Sequence, residues 1–428
     1  PQGIIRSYRA CAPLTVGASH QISFLASTQR PKGWDEVLLS VDGIVCSGGN
    51  TLNQQVIWKA HGIDALLRQA WDRGIVLGAE ADLTLYAESR GEAAAVVDAA
   101  LAEVARLEAI FRANGCTPHV AATLAETVLA AEIGGTASHG LFRMPGYVET
   151  LRSGWVDGSA EPLVEDVAPG LLRADGRNGF CQVALAAGRP LLVAKTRSQG
   201  VAAMAVRNSH HFGAVWPDLE PLAEAGLAVL AFLNTRSFVV PAGGRRKLFG
   251  TNPMGFAWPR PGKPPLLWDQ SSSVTAHAEV LIAARDGRTL PPGIGFDTEG
   301  RPTTDPHAIL ESGALAPFGG HKGSAIALMV ELMAAGLSGG QFGFQDRSQE
   351  HAGAHTCSAG MTMIAIDPGR LGEDVAARAE LLFEELARDE GARLPGSRRL
   401  GRRRTAQEGG VPLTEAQARM LEALRPPR

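Results

Sequence analysis

Residues 317–337 read PFGGHKGSAIALMVELMAAGL, a glycine pair and a lysine running straight into an apolar stretch of helix length. Glycines let backbone approach a phosphate, a helix start offers free N–H groups and a positive dipole end, and Lys322 adds charge. The same residues also suit a plain glycine-rich helix entry with a solvated lysine. Ala325 to Ala335 is apolar on nearly every face, which predicts a buried helix. A Rossmann domain would place G-x-G-x-x-G between a strand and a helix. The nearest match, Gly293-Ile294-Gly295, lacks the third glycine and runs into Pro302-Thr303-Thr304-Asp305-Pro306. A Walker loop, G-x-x-x-x-G-K-[ST], is absent as well.

Around this segment the pattern is mixed α/β. Val201 to Val206 and Leu227 to Leu233 are short and almost wholly apolar, as strands covered on both faces are. Met363 to Ile366 reads the same way. Asn208-Ser209-His210-His211-Phe212-Gly213 forms a strand-to-helix junction before a helix over Trp216 to Ala225. One of its histidines can meet a ligand; the other packs. Residues 258–306, rich in Pro and Gly, predict turns and short strands. In Glu92 to Arg112, Val97, Leu101, Val104 and Phe111 recur at helical spacing. Residues 37–80 read as a small α/β unit: strand Val37 to Val45, a turn at Ser47-Gly48-Gly49-Asn50, helix Ile57 to Arg73, strand Ile75 to Gly78.

The composition excludes several classes. With 45% hydrophobic and 20% charged residues among 428, the chain is no disordered polymer, and its length suits two to three domains. Lys+Arg 41 against Asp+Glu 44 leaves a net charge of −3, so bulk electrostatics offer nothing to nucleic acid. Any basic patch is local, as in Arg393, Arg398, Arg399, Arg402, Arg403 and Arg404. No apolar run reaches a membrane span, and no signal-peptide pattern precedes the first strand, so the expectation is a cytoplasmic protein without membrane contact. The 5 cysteines are scattered without a C-x-x-C pair, which argues against disulfides and structural zinc.

Three further groups could carry chemistry. Ser138-His139-Gly140 with Arg143 offers a general acid beside a hydroxyl and a carboxylate anchor, or else a capped helix-end histidine. Asp269-Gln270-Ser271 precedes His277 and Glu279, a carboxylate that either orients a catalytic histidine or sits exposed in a strand. His351, His355 and Cys357 lie close together but lack helical spacing or a carboxylate, so no metal is expected. No G-x-S-x-G elbow activates a serine.

Taken in order, SHGLFRMPGYVETLRSGWVDG (138–158), NSHHFGAVWPDLEP (208–221), PAGGRRKLFGTNPMGFAWP (241–259), GRPTTDP (300–306), residues 317–337 and RLPGSRR (393–399) resemble the malate/L-lactate dehydrogenase-like family. These are NAD(P)-dependent oxidoreductases with a non-Rossmann fold. HHF-x-x-V-WPD and FGGHKGSA look most like the branch reducing Δ1-piperideine-2-carboxylate and Δ1-pyrroline-2-carboxylate. The resemblance implies a mixed β-sheet flanked by helices, a module over 86–428 with its cofactor part in the middle, and a homodimer with the active site near the subunit interface.

It also implies roles. His139 would donate the proton, with Ser138 and Glu279 as its relay; the family has Asp where Glu279 stands. Arg143 would hold the substrate carboxylate and His277 would touch the substrate. His211, Phe212, Gly213, Ala214, Val215, Asp269, Gln270, Ser271, His321, Lys322, Leu394, Pro395, Gly396, Ser397, Arg398 and Arg399 would line the site of NADPH, or of NADH in its place. Pro217 stands where a substrate-contacting hydroxyl is expected. The alternatives are a 2-hydroxyacid dehydrogenase on the same scaffold and an inactive nucleotide-binding mosaic. Residues 43–78 resemble part of the dipeptidase E family, but Glu80 replaces the nucleophile of its G-x-S-A-G turn, and Asp82 to Phe111 faintly resembles the start of a flavin transferase. Residues 1–85 are therefore expected to be a truncated, non-catalytic α/β extension.

Overall fold

The computed structural model of the chain describes residues 43–46, 76–79, 92–372, 374–409, 411 and 413–425. The chain divides into two compact units, Pro1–Leu101 with Gln407–Gly410 and Ala102–Ala406 with Val411–Arg428. In the first, strands β1 (Gly43–Cys46) and β2 (Val76–Ala79) pair in parallel. The turn and helix predicted between them lie outside the described residues.

The larger unit is organised by a seven-stranded sheet of β3 (Leu163–Ala168), β4 (Leu171–Phe180), β5 (Val201–His210), β6 (Ala228–Leu233), β7 (Met254–Trp258), β8 (Leu266–Gln270) and β12 (Ala359–Ile366). Its order is β3-β4-β5-β12-β6-β7-β8. Only β4 and β5 run parallel, joined by the crossover helix Cys181–Gln199; every other neighbour is antiparallel. The late strand β12 occupies the middle, with Met363 opposite Met204 on one side and Ala231 on the other. That position explains its largely apolar sequence, since Ala359 to Met363 are buried.

Helices cover the sheet. Trp216–Glu224 and Cys181–Gln199 pack Trp216, Leu219, Leu222 and Leu185 into one core with Met204, Met361 and Leu233. A second core joins Val239, Phe249, Val280, Ile294, Ile309 and Leu315. It binds the helix His277–Arg285 to a three-stranded sheet of β9 (Gly295–Phe296), β10 (Pro302–Thr303) and β11 (Ala314–Leu315).

Two expectations are corrected. Residues 258–306 hold more than turns and short strands: Ala278, Val280 and Ala283 give His277–Arg285 a buried face, and Glu279 is helical, not in a strand. The helix expected over 325–335 starts at His321, ends at Glu331 and passes into a π-turn, Leu332–Gly336. It is not buried all round. Val330 and Ala334 pack under Phe232, whereas Leu328, Met329, Leu332 and Leu337 are exposed.

Candidate active site

Two short turns set the candidate catalytic pair. His139 ends the 3-10 turn Ala137–His139, and Arg143 ends the next, Leu141–Arg143. Gly140 joins them, and a Cβ there would lie 2.1 Å from the Glu132 carboxylate, so a larger residue would displace that side chain. Glu132 in turn accepts the Leu141 N–H at 2.8 Å. The Ser138 hydroxyl lies 3.1 Å from His139 Nδ1, which fixes the ring, and Arg143 Nε donates to the Ser138 carbonyl at 2.9 Å. Burial, with the charges of Arg143 and His211, lowers His139 to about 3. It is therefore neutral at rest, and an anion docking on Arg143 removes one cause of that depression.

His277 opens its helix and stacks on Phe238 with ring centroids 3.7 Å apart. Burial lowers it to about 3, followed by the charges of Arg236, Arg143 and Lys247. Arg236, Phe238, Lys247 and His277 line one cavity of about 190 Å³, closed on the far side by Leu281, Ile309 and Leu315. Sequence reading found His139, Arg143 and His277 but missed Arg236 and Lys247. The only signal was the basic run Arg245-Arg246-Lys247 inside the 241–259 motif.

Glu279 does not join this group. It is exposed and has no described hydrogen bond to Ser138 or His139. The first helical turn points the two faces of His277–Arg285 apart, so His277 turns inward while Glu279 turns to solvent. The carboxylate that does reach a buried imidazole is Asp218, whose Oδ2 lies 2.7 Å from His211 Nε2. His210 is the packing partner of the two: it pairs with Asn178 Oδ1 at 2.8 Å, and burial lowers it to about 4.

The expected cofactor residues fall into three sets. Phe212, Ala214 and Val215 are buried, with Phe212 stacked on Tyr147 at 4.2 Å, so their side chains serve the core. Asp269 Oδ2 accepts the N–H of Val215 at 2.8 Å and of Trp216 at 3.2 Å, closing that helix start. Gln270 is exposed, and the Ser271 hydroxyl donates to the Ser273 carbonyl. In the second set, Gly396 at φ +83° lets Leu394-Pro395-Gly396-Ser397 turn tightly against β8, where a Cβ would meet the Leu267 carbonyl at 2.6 Å. Arg399 donates to that carbonyl at 3.2 Å, lies 3.7 Å from Asp269 and stacks 4.2 Å over Trp216, while Arg398 is exposed.

The third set is open. Gly319 and Gly320, at φ +56° and +62°, turn the chain into the helix start, with His321 and Lys322 exposed beside it. Near His211, the Gln182 amide and His211 Nδ1 are buried without a hydrogen-bond partner among the described residues. A basic helix start and unspent amide and imidazole atoms fit a phosphate-bearing dinucleotide with a polar ring.

The metal reading of 351–357 finds other employment for its residues. His355 pairs with Glu149, His351 Nε2 donates to the Ser153 carbonyl at 3.0 Å, and Cys357 is buried with its thiol pushed up to about 12. Among the described residues no group of three or more metal-binding side chains occurs, and no helix is long and apolar enough to cross a membrane.

Comparison with known proteins agrees with this geometry. The family model described as malate/L-lactate dehydrogenase matches residues 99–422. A Δ1-pyrroline-2-carboxylate/Δ1-piperideine-2-carboxylate reductase of Pseudomonas putida is 52% identical over 319 residues, 74% of this chain and 94% of the relative. A (2R)-3-sulfolactate dehydrogenase (NADP+) of Chromohalobacter salexigens is 42% identical over 320 residues, 75% of this chain and 94% of the relative. The crystal structure of Δ1-piperideine-2-carboxylate reductase from Pseudomonas syringae pathovar tomato superimposes with a TM-score of 0.74 at 49% identity, covering 75% of this chain and 97% of that one. The peptidase likeness of residues 43–78 is not borne out, since the family match begins at residue 99. A non-Rossmann mixed sheet and a match over residues 99–422 lead to one conclusion: the chain belongs to the malate/L-lactate dehydrogenase family.

Proposed function

We propose that this protein reduces cyclic imine carboxylates with NADPH, converting Δ1-piperideine-2-carboxylate to L-pipecolate and Δ1-pyrroline-2-carboxylate to L-proline. The observation that carries this reading is Arg143, set beside His139 and near enough to His277 for its charge to act on both, with His277 lining a cavity of about 190 Å³, the scale of one small planar acid. Arg143 takes the carboxylate and so fixes which face of the C=N bond is presented. Docking of the carboxylate on Arg143 offsets the charge that depresses His139, so the imidazole, held at Nδ1 by Ser138, takes up a proton from solvent and delivers it to the ring nitrogen. Bound NADPH supplies the hydride to the adjacent carbon. Its phosphates suit the Gly319–Lys322 helix start; Arg398, exposed beside the internally bound Arg399, suits the 2′-phosphate.

Glu279 is left as a relay member only through intervening water. The exposed row Leu328, Met329, Leu332 and Leu337 supports a homodimer, and buried free thiols at Cys116, Cys181 and Cys357 suit a reducing cytoplasm. Residues 1–85 are read as a non-catalytic extension to the reductase module at 86–428. A 2-hydroxyacid dehydrogenase is the second reading, favoured by the 42% identity to the sulfolactate enzyme. NADPH oxidation with Δ1-piperideine-2-carboxylate, set against pyruvate and oxaloacetate, tests the two. The imine is expected to turn over fastest; faster keto acids would reverse the order.

A further inference from the structure

Arg236 follows β6 in a part of the chain with no sequence motif pointing to catalysis. Its guanidinium lies 4.6 Å over the Phe238 ring, and Phe238 also carries His277. Arg236 and Lys247 line the substrate cavity together with His277. Among the described residues neither cation has an ion pair, and Arg143 spends only its Nε, on the Ser138 carbonyl. The neighbouring carboxylates are engaged or turned away. Asp346 accepts from the Ser348 N–H at 3.0 Å and its hydroxyl at 2.6 Å, and Glu311 is exposed at the rim. Like charges gathered in a partly buried pocket repel and lose hydration, which is unfavourable until an anion joins them.

We propose that Arg236, backed by Lys247, is a second anion-holding group of the substrate site and shares the substrate carboxylate with Arg143. This rests on the cyclic-imine reading for its ligand, but not for its test. One guanidinium fixes a carboxylate in its own plane; a second, anchored on Phe238, fixes the rotation about the carboxylate–ring bond. Phe238 thereby couples the anion grip to His277. The side chain also packs on Phe238, so a purely structural role has to be separated from binding.

The experiment uses the full chain with Arg236→Gln, Arg236→Lys and Lys247→Gln. The probes are pyrrole-2-carboxylate, which is planar and not reduced, and its neutral amide, pyrrole-2-carboxamide. Arg236→Gln is expected to weaken the acid about ten- to a hundredfold, as loss of a charged hydrogen bond does. NADPH binding and amide binding should change less than about twofold. Arg236→Lys should restore part of the loss, and Lys247→Gln should cost about threefold. Equal losses for acid and amide would make the residue a packing element and overturn the proposal, as would unchanged acid binding. Should Arg236→Gln fail to fold, the Arg236→Lys and Lys247→Gln pair decides, by the same acid-against-amide comparison. If the wild type binds the acid in an Arg236-dependent way yet reduces no imine, the anion grip stands and the reductase reading falls.

Discussion

Two arginine groups in this protein have the same chemistry and opposite employment. Burial and the nearby charge of Arg236, a residue of the cavity wall, both disfavour the Arg143 cation, and no ion pair among the described residues relieves either arginine. On the helix Ser397–Gly409, Arg399, Arg402 and Arg403 are spent within the fold. Arg403 forms a two-pronged pair with the buried Glu220 and lies 4.7 Å from the Trp216 ring, Arg402 Nη1 donates to the Gly135 carbonyl at 2.7 Å, and Arg399 stacks 4.2 Å over the same Trp216 ring. The tail is the more conspicuous in the sequence. The cavity is the more consequential, because unbalanced charge is what a ligand can neutralise.

The sharpest break in that comparison is expected at His139, which sits within the unpaired group. His139→Ala should lower kcat by about 10²- to 10⁴-fold with NADPH affinity near normal, read by steady-state rates and cofactor titration. Retention of most activity would remove His139 from the chemistry. Arg143→Ala should raise KM for the imine by about ten- to a hundredfold with a smaller fall in kcat, because orientation is lost along with grip. A KM unchanged beside a collapsed kcat would contradict a carboxylate anchor.

In the paired group the effect should move to stability. Arg403→Ala leaves Glu220, which is only 7% exposed, without its partner. A loss of about 2–4 kcal/mol in urea unfolding is expected, below the full value for a buried pair because Arg403 is partly exposed, with KM little altered. A large KM change and no stability change would exchange the roles of the two groups.

The smallest effect is in the acid limb of stability. His139 and His277 are held near about 3 and His210 near about 4, against an ordinary 6.5. The unfolded chain therefore takes up protons first as pH falls. Their contribution is complete above about 6.5 and is lost progressively toward pH 3, so Tm should rise between pH 4 and 6.5. Arg236→Gln removes one cause of the His277 depression and should flatten that rise; a steeper slope would contradict the charge cluster.

Much of the site was legible because its first half is local. Ser138, His139 and Arg143 fall within six residues and two turns, so spacing alone brings them together. The strands at 201–206 and 228–233 were legible for a similar reason, as short runs covered on both sides. Arg236 was not, since nothing in its neighbours marks it; it reaches His277 only through Phe238 and the second core. The strand reading of Glu279 fails because the residue lies in the helix His277–Arg285, where positions two apart, unlike those of a strand, do not share a face. The Asp269 cap on Val215 and Trp216 spans more than fifty positions, and a glycine-flanked helix start looks the same in sequence whether capped or open.

The placement of β12 sets an order on how the molecule comes into being. Strands β5 and β6 never hydrogen-bond each other; each waits for residues 359–366 to fill the gap between them. During synthesis more than a hundred residues beyond β6 must emerge before the two halves of the sheet can be sealed. Until then both halves present bare inner edges, open to mispairing with other nascent chains. Slow closure of this kind makes the growing polypeptide a natural client for chaperones, well before it has any use for a cofactor.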